Sequence, residues 1–146
     1  METLFQKFDS QYQVQQLAEE FYDVMDRDLS AKELRSLHPE NLFFTKKILY
    51  RFLVHWSGGP KIFNSDLANS NWLELRHRNV DLNEVHQKQW LYCMETAMQN
   101  LDFKAELIEE VLTRFSYLIN SMVARRDACQ RGRHGRRNRL EQGGVK

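Results

Sequence analysis

Four of the five histidines, His38, His55, His77 and His86, precede residue 125. His77 sits between Arg76 and Arg78 in LELRHRNVDLNEVHQKQWL, residues 73–91. His86 follows nine residues later, Trp90 lies thirteen beyond His77, and Cys93 lies seven beyond His86. A zinc site needs ligands in tight pairs with a second pair elsewhere, and this spacing supplies none. Cys93 falls in an apolar stripe and reads as a small buried residue, with nothing local to support a Cys/His nucleophile pair. A porphyrin asks for a different set: one neutral imidazole, a flat apolar slot between helices, a basic group near its edge and polar donors opposite. His77 beside Arg76 could supply the imidazole and the cation. Phe21, Tyr22, Phe43, Phe44, Phe52 and Trp90 could line the slot. The same aromatics at helical spacing serve equally as ordinary core, so the pattern leaves both readings open.

Helices must position these residues. Val14, Leu17, Ala18, Phe21, Tyr22 and Met25 form one helical stripe, and Leu49, Phe52, Leu53 and Trp56 a second. Trp90, Cys93, Met94, Ala97, Met98 and Leu101 form a third. Leu107, Ile108, Val111, Leu112, Phe115, Leu118, Ile119 and Met122 form the longest. No run alternates with period two, so strands are not supported and the class is all-α. LHPE at 37–40 separates the first two stripes, and SGGP at 57–60 ends the second with glycine as C-cap and proline beyond. Asp81 with Glu84 resembles a capping box that would start the third long helix. Short helical pieces are expected around 29–37 and 70–78. His86 reads as a solvated residue on the surface of that third helix.

A chain of 146 residues, 42% hydrophobic and 12% aromatic, suits one globular domain. Two cysteines exclude a disulfide framework. METLFQKFDSQ has no apolar run that reads as a signal peptide, and no stretch reaches the ~18 apolar residues of a membrane span. The expectation is a soluble, cytoplasmic protein. The net charge of +1 is unevenly spread. Residues 125–146 carry seven Arg and one Lys against Asp127 and Glu141, a net +6, leaving −5 for residues 1–124. The division expected is a folded domain over 1–124 and a basic, disordered C-terminal tail over 125–146.

The order FYDVM, LHPE, FLVHWSGGP, LELRH and QWLYCMETAM, from about residue 14 to 123, strongly resembles the group II truncated haemoglobins. The WSGGP block and the thirteen-residue step from His77 to Trp90 are its most specific parts. The resemblance implies a truncated globin, a two-over-two helical sandwich around haem b. On that basis His77 is the proximal iron ligand. Tyr22 and Trp90 are distal donors, through a hydroxyl and an indole N–H, and His38 stands at the distal wall. Leu49 is an apolar distal residue, and Thr45 occupies the place of a conventional globin's distal histidine. Phe44 and Phe52 join the pocket lining. Bound oxygen carries partial negative charge, so such donors hold it and slow its release. Tyr and Trp each bring an apolar body and one donor, which suits a dry pocket.

The sequence also departs from the family. QKFDSQYQVQQL lacks the usual N-terminal glycine-containing turn, and ANSNW at 68–72 replaces the usual G-H-P. Ile48 stands where a basic residue commonly reaches a propionate, leaving Arg76 or Lys47 for that task. Val80 lies near the place of the phenylalanine usual after the proximal histidine.

The resemblance implies binding of oxygen, nitric oxide and carbon monoxide, with redox or scavenging chemistry of oxygen, nitric oxide or peroxide. Nitric oxide dioxygenation and peroxidase-like activity use the same pocket, so the sequence does not choose between them or assign an enzyme class. The alternatives are oxygen storage or delivery, a haem-based gas sensor, and a haem-free helical module that keeps the globin pattern as scaffold. Redox use requires a reductase, and a weak homodimer is a candidate assembly. The tail's arginines could touch nucleic acid or an anionic membrane. Without aromatics they read first as solubilising, and neither partner is expected.

Overall fold

The computed structural model describes residues 2–60 and 83–121. His77, Arg76, the piece expected at 70–78, Asp81 and the tail at 125–146 lie outside the described residues. Six helices occur in the described chain: α1 (Leu4–Lys7), α2 (Gln11–Arg27), α3 (Lys32–Arg35), α4 (Phe43–Trp56), α5 (Glu84–Asn100) and α6 (105–121). A 3₁₀ turn, Leu29–Ala31, leads into α3. No strand occurs among the described residues, as the all-α reading expects.

The apolar stripes become the core. Val14, Leu17, Ala18, Phe21, Tyr22 and Met25 on α2 are all buried, and α2 packs on both α4 and α5. Ser10 caps α2, its hydroxyl accepting from the Gln13 N–H. Two polar links reinforce the α2–α4 contact: Lys46 Nζ lies 2.7 Å from Asp23 Oδ1, and Gln11 Nε2 donates to the Tyr50 hydroxyl at 2.6 Å. α6 meets α4 and α5 through Phe115, which is fully buried and touches Trp56 and Trp90 edge-on.

Helix α1 has no counterpart in the expectations. Thr3 and Gln6 cap it reciprocally: the Thr3 N–H donates to Gln6 Oε1, and the Gln6 N–H donates to Thr3 Oγ1. It docks on the SGGP turn that ends α4. The Phe5 N–H donates to the Ser57 carbonyl at 2.8 Å. Gly58 has φ +93, a conformation that favours glycine. At Gly59 a Cβ would stand 2.8 Å from the Val54 carbonyl oxygen and from a ring carbon of Phe5. Close approach of α1 to the turn therefore requires glycine there. Lys7 pairs with Glu110 at 2.6 Å and Phe8 meets Phe103 edge-on, so α1 joins the end of α4 to α6.

The start of α5 corrects two expectations. Its N-cap is Asn83, which makes Glu84 the first helical residue rather than the partner of a capping box begun at Asp81. The box that forms pairs Asn83 with His86. The His86 N–H donates to Asn83 Oδ1 at 3.1 Å, and the Asn83 N–H donates to His86 Nδ1 at 3.2 Å. His86 is buried, not solvated. It begins the buried run His86, Trp90, Cys93, Ala97, whose spacing of four, three and four residues continues the stripe by one turn.

Candidate functional site

Tyr22 comes from the buried face of α2, in its last two turns, and is 8% exposed. His38 follows α3, and its ring meets Tyr22 edge-on with centroids 5.5 Å apart. His38 Nδ1 lies 2.9 Å from the Leu34 carbonyl oxygen. A carbonyl only accepts, so Nδ1 carries the proton, and in the neutral ring Nε2 is left as the acceptor nitrogen. Arg35 grips the backbone just beyond, donating to the Pro39 and Glu40 carbonyls at 3.0 and 2.9 Å while its Nε donates to Asp26 at 2.8 Å. The ring and the chain that carries it are therefore both fixed.

Trp90 is 5% exposed on α5 and lies edge-on to Phe115, centroids 5.5 Å apart. Phe115 in turn meets Trp56, which stacks on Phe52 at 6.3 Å. Thr45, Leu49 and Phe52 are all buried at four- and three-residue steps along one face of α4. Phe44 sits apart from that row, 72% exposed and edge-on to Phe43. Lys47 places its ammonium 4.2 Å from the Phe43 ring centre.

Two polar side chains that sequence reasoning did not single out connect α5 to the corner after α2. Gln89, next to Trp90, accepts from the Leu34 N–H at 2.9 Å and donates to Glu33 at 2.6 Å. Tyr92 donates its hydroxyl to Asp28 at 2.5 Å. The hydrogen bond from Gln89 holds the Glu33 carboxyl below its usual range, and that from Tyr92 does the same to Asp28. No local signal marks these residues, because their partners lie 56 and 64 positions away in the chain. Tyr22 and His38 thus meet ring to ring, and the Leu34–Gln89 bond ties the segment that carries His38 to α5, the helix that carries Trp90.

This arrangement excludes nucleophilic chemistry at Cys93. Its thiol is fully buried, and burial first, then the charge of Asp28, pushes its pKa up to about 12. The thiolate is the reactive form, so Cys93 stays inert near neutral pH. Among the described residues no group of three or more His, Cys, Asp or Glu could hold a metal ion.

Phenol, imidazole and indole, carried by α2, the segment after α3, and α5, are side chains suited to a small polar ligand. The family model of bacterial-like globins matches residues 3–124. The chain belongs to the bacterial-like globin family. It is similar to the group 2 truncated hemoglobin YjbI of Bacillus subtilis, 27% identical over 116 residues that span 80% of this chain and 85% of that one. In structure it resembles the cold-adapted truncated hemoglobin of Pseudoalteromonas haloplanktis TAC125, with a TM-score of 0.75, 27% identity and coverage of 83% and 97%. It also resembles the group II 2-on-2 hemoglobin of Agrobacterium tumefaciens, with a TM-score of 0.74, 25% identity and coverage of 84% and 94%. The globin is thus a two-over-two helical fold of the truncated type, as its motifs imply.

The globin family implies a haem cofactor and binding of a gas. The chemistry of the described residues suits such a group: Thr45, Leu49 and Phe52 are buried along one face of α4, and Tyr22, His38 and Trp90 each carry a polar tip on a ring. The imidazole expected to hold the iron, His77, and the cation Arg76 lie outside the described residues. No helix among the described residues is long and apolar enough to cross a membrane.

Proposed function

We propose that this globin holds haem b through His77 and retains oxygen and other diatomic ligands in redox or scavenging chemistry. The observation that carries the reading is the ordered donor set. Tyr22 and Trp90 are buried, and His38 is fixed against Tyr22. Haem supplies the iron that takes the gas; the protein supplies everything that tunes how long the gas stays. Tyr22 and Trp90 each carry one proton on a rigid apolar body, so they can donate to a partly negative ligand without admitting water. His38 commits its Nδ1 proton to the Leu34 carbonyl. Arg76 and Lys47 are the candidate cations for the propionates. A second ring hydrogen bond from His77 would set its orientation as a ligand.

Two donors on one pocket favour retention over delivery. The reaction served, whether nitric oxide dioxygenation or peroxide turnover, needs an electron source of the reductase class. The test is the oxygen dissociation rate of the reduced, haem-loaded protein by stopped flow. Slow release is expected. Release as fast as in a pocket without donors would contradict the scavenging reading and favour storage or delivery.

A further inference from the structure

Gln89 does more than link two surfaces. Helix α3 begins without a side-chain cap, because its N-cap position is Ala31. The N–H of Leu34, in the first turn, is one of the donors that a helix leaves unpaired. Gln89 reaches across from α5 and accepts it at 2.9 Å. An amide could present either end, but the Glu33 carboxylate decides. It accepts from Gln89 Nε2 at 2.6 Å, so the NH₂ group must face Glu33 and Oε1 must face the Leu34 N–H. The same residue, Leu34, turns its carbonyl toward His38 Nδ1. Glu33, Gln89, Leu34 and His38 therefore form one directional series of hydrogen bonds, in which the Leu34 carbonyl also accepts from the Leu37 N–H at 3.1 Å.

We propose that Gln89 is a positioning residue for the distal site: by capping α3 from outside, it sets where the Leu34 carbonyl stands and so holds His38 as the Nδ1-protonated tautomer facing Tyr22. This rests on the reading of His38 as a distal residue. It also explains the position of Gln89 in the sequence, since the neighbour of Trp90 registers α5 against the segment that carries His38. The distance between the indole and the imidazole is then set by two hydrogen bonds at Gln89 rather than by packing alone. Tyr92, one turn along α5, adds a second anchor at Asp28 and limits hinging about the first.

The experiment uses the haem-loaded protein in its carbon monoxide form, with two readouts: the ¹⁵N shifts of His38, which report its tautomer, and the C–O stretching band. Gln89→Leu keeps size and helix preference but removes both hydrogen bonds. The expected result is loss of the single Nδ1-protonated pattern at His38 and a split or shifted C–O band, with helicity unchanged. The exchange of Glu33→Gln with Gln89→Glu in one protein rebuilds both bonds with the charge on the other side, and it should restore both readouts. An unchanged His38 pattern in Gln89→Leu would overturn the proposal. So would an exchanged pair that folds normally yet fails to restore the pattern. His38→Leu separates the underlying reading: if His38 responds to Gln89 but the C–O band ignores His38→Leu, Gln89 positions His38 alone, and the distal role proposed for both is overturned.

Discussion

Tyr22 brings one hydroxyl into a wall that is otherwise largely hydrocarbon, and its removal is the cleanest test at the scale of a residue. Tyr22→Phe keeps the ring, its edge contact with Phe21 at 5.0 Å and its contact with His38. Only the donor is lost. A hydrogen bond to a partly charged acceptor contributes about 1.5–3 kcal/mol, so oxygen should leave roughly 10- to 100-fold faster. A dissociation rate equal to wild type would remove Tyr22 from the donor set. At this scale the sequence was legible where a residue's type announced its chemistry. Tyr22, His38 and Trp90 were singled out from motifs; Tyr22 and His38 meet edge-on, and Trp90 is buried on α5. Gln89 was not, because glutamine is ordinary on a helix and its partners come from a distant corner. His86 was misjudged because histidine is not the usual third residue of a capping box, although its step of four to Trp90 placed it on the buried stripe.

Elements register against each other through a few polar bonds laid over apolar packing, and their ends test that packing. Gly59→Ala would force a Cβ into the 2.8 Å gap beside Val54 and Phe5. Overpacking of this kind costs about 1–3 kcal/mol, so the denaturation midpoint should fall clearly. A wild-type midpoint would mean that α1 does not seat on the turn as described. The α5 anchors make a second prediction. Glu33 and Asp28 are held below their ordinary values of 4.5 and 3.8. A carboxylate with a depressed folded value stabilises the fold above its unfolded value and loses that contribution as pH falls through the folded one. Melting temperature should therefore drop on acidification between roughly pH 5 and 3, and Tyr92→Phe should flatten that drop by removing the Asp28 share. Both groups are exposed, so the effect is small, and an unflattened acid limb in Tyr92→Phe would contradict the anchor. The four long helices were legible because helical stripes of four to eight apolar residues can hardly be satisfied otherwise. Helix α1 was not: at four residues it has no periodicity, and it exists because the glycine turn of α4 and Glu110 of α6 receive it.

The whole molecule combines a mildly acidic globin with a strongly basic tail, −5 against +6. The family match ends at residue 124, so all seven arginines of residues 125–146 lie beyond it. Deletion of residues 126–146 should leave the haem spectrum and ligand kinetics unchanged, while any salt-dependent binding to polyanions should vanish. A changed spectrum would mean that the tail takes part in the pocket. The central claim, however, rests on one imidazole. The decisive measurement is the absorption spectrum of the purified chain and of His77→Ala after haem addition, in ferric and ferrous states. The account predicts an intense Soret band in the wild-type protein and loss of stable haem binding in the variant. A normal ferrous spectrum in His77→Ala, or no Soret band in the wild-type chain, would contradict it.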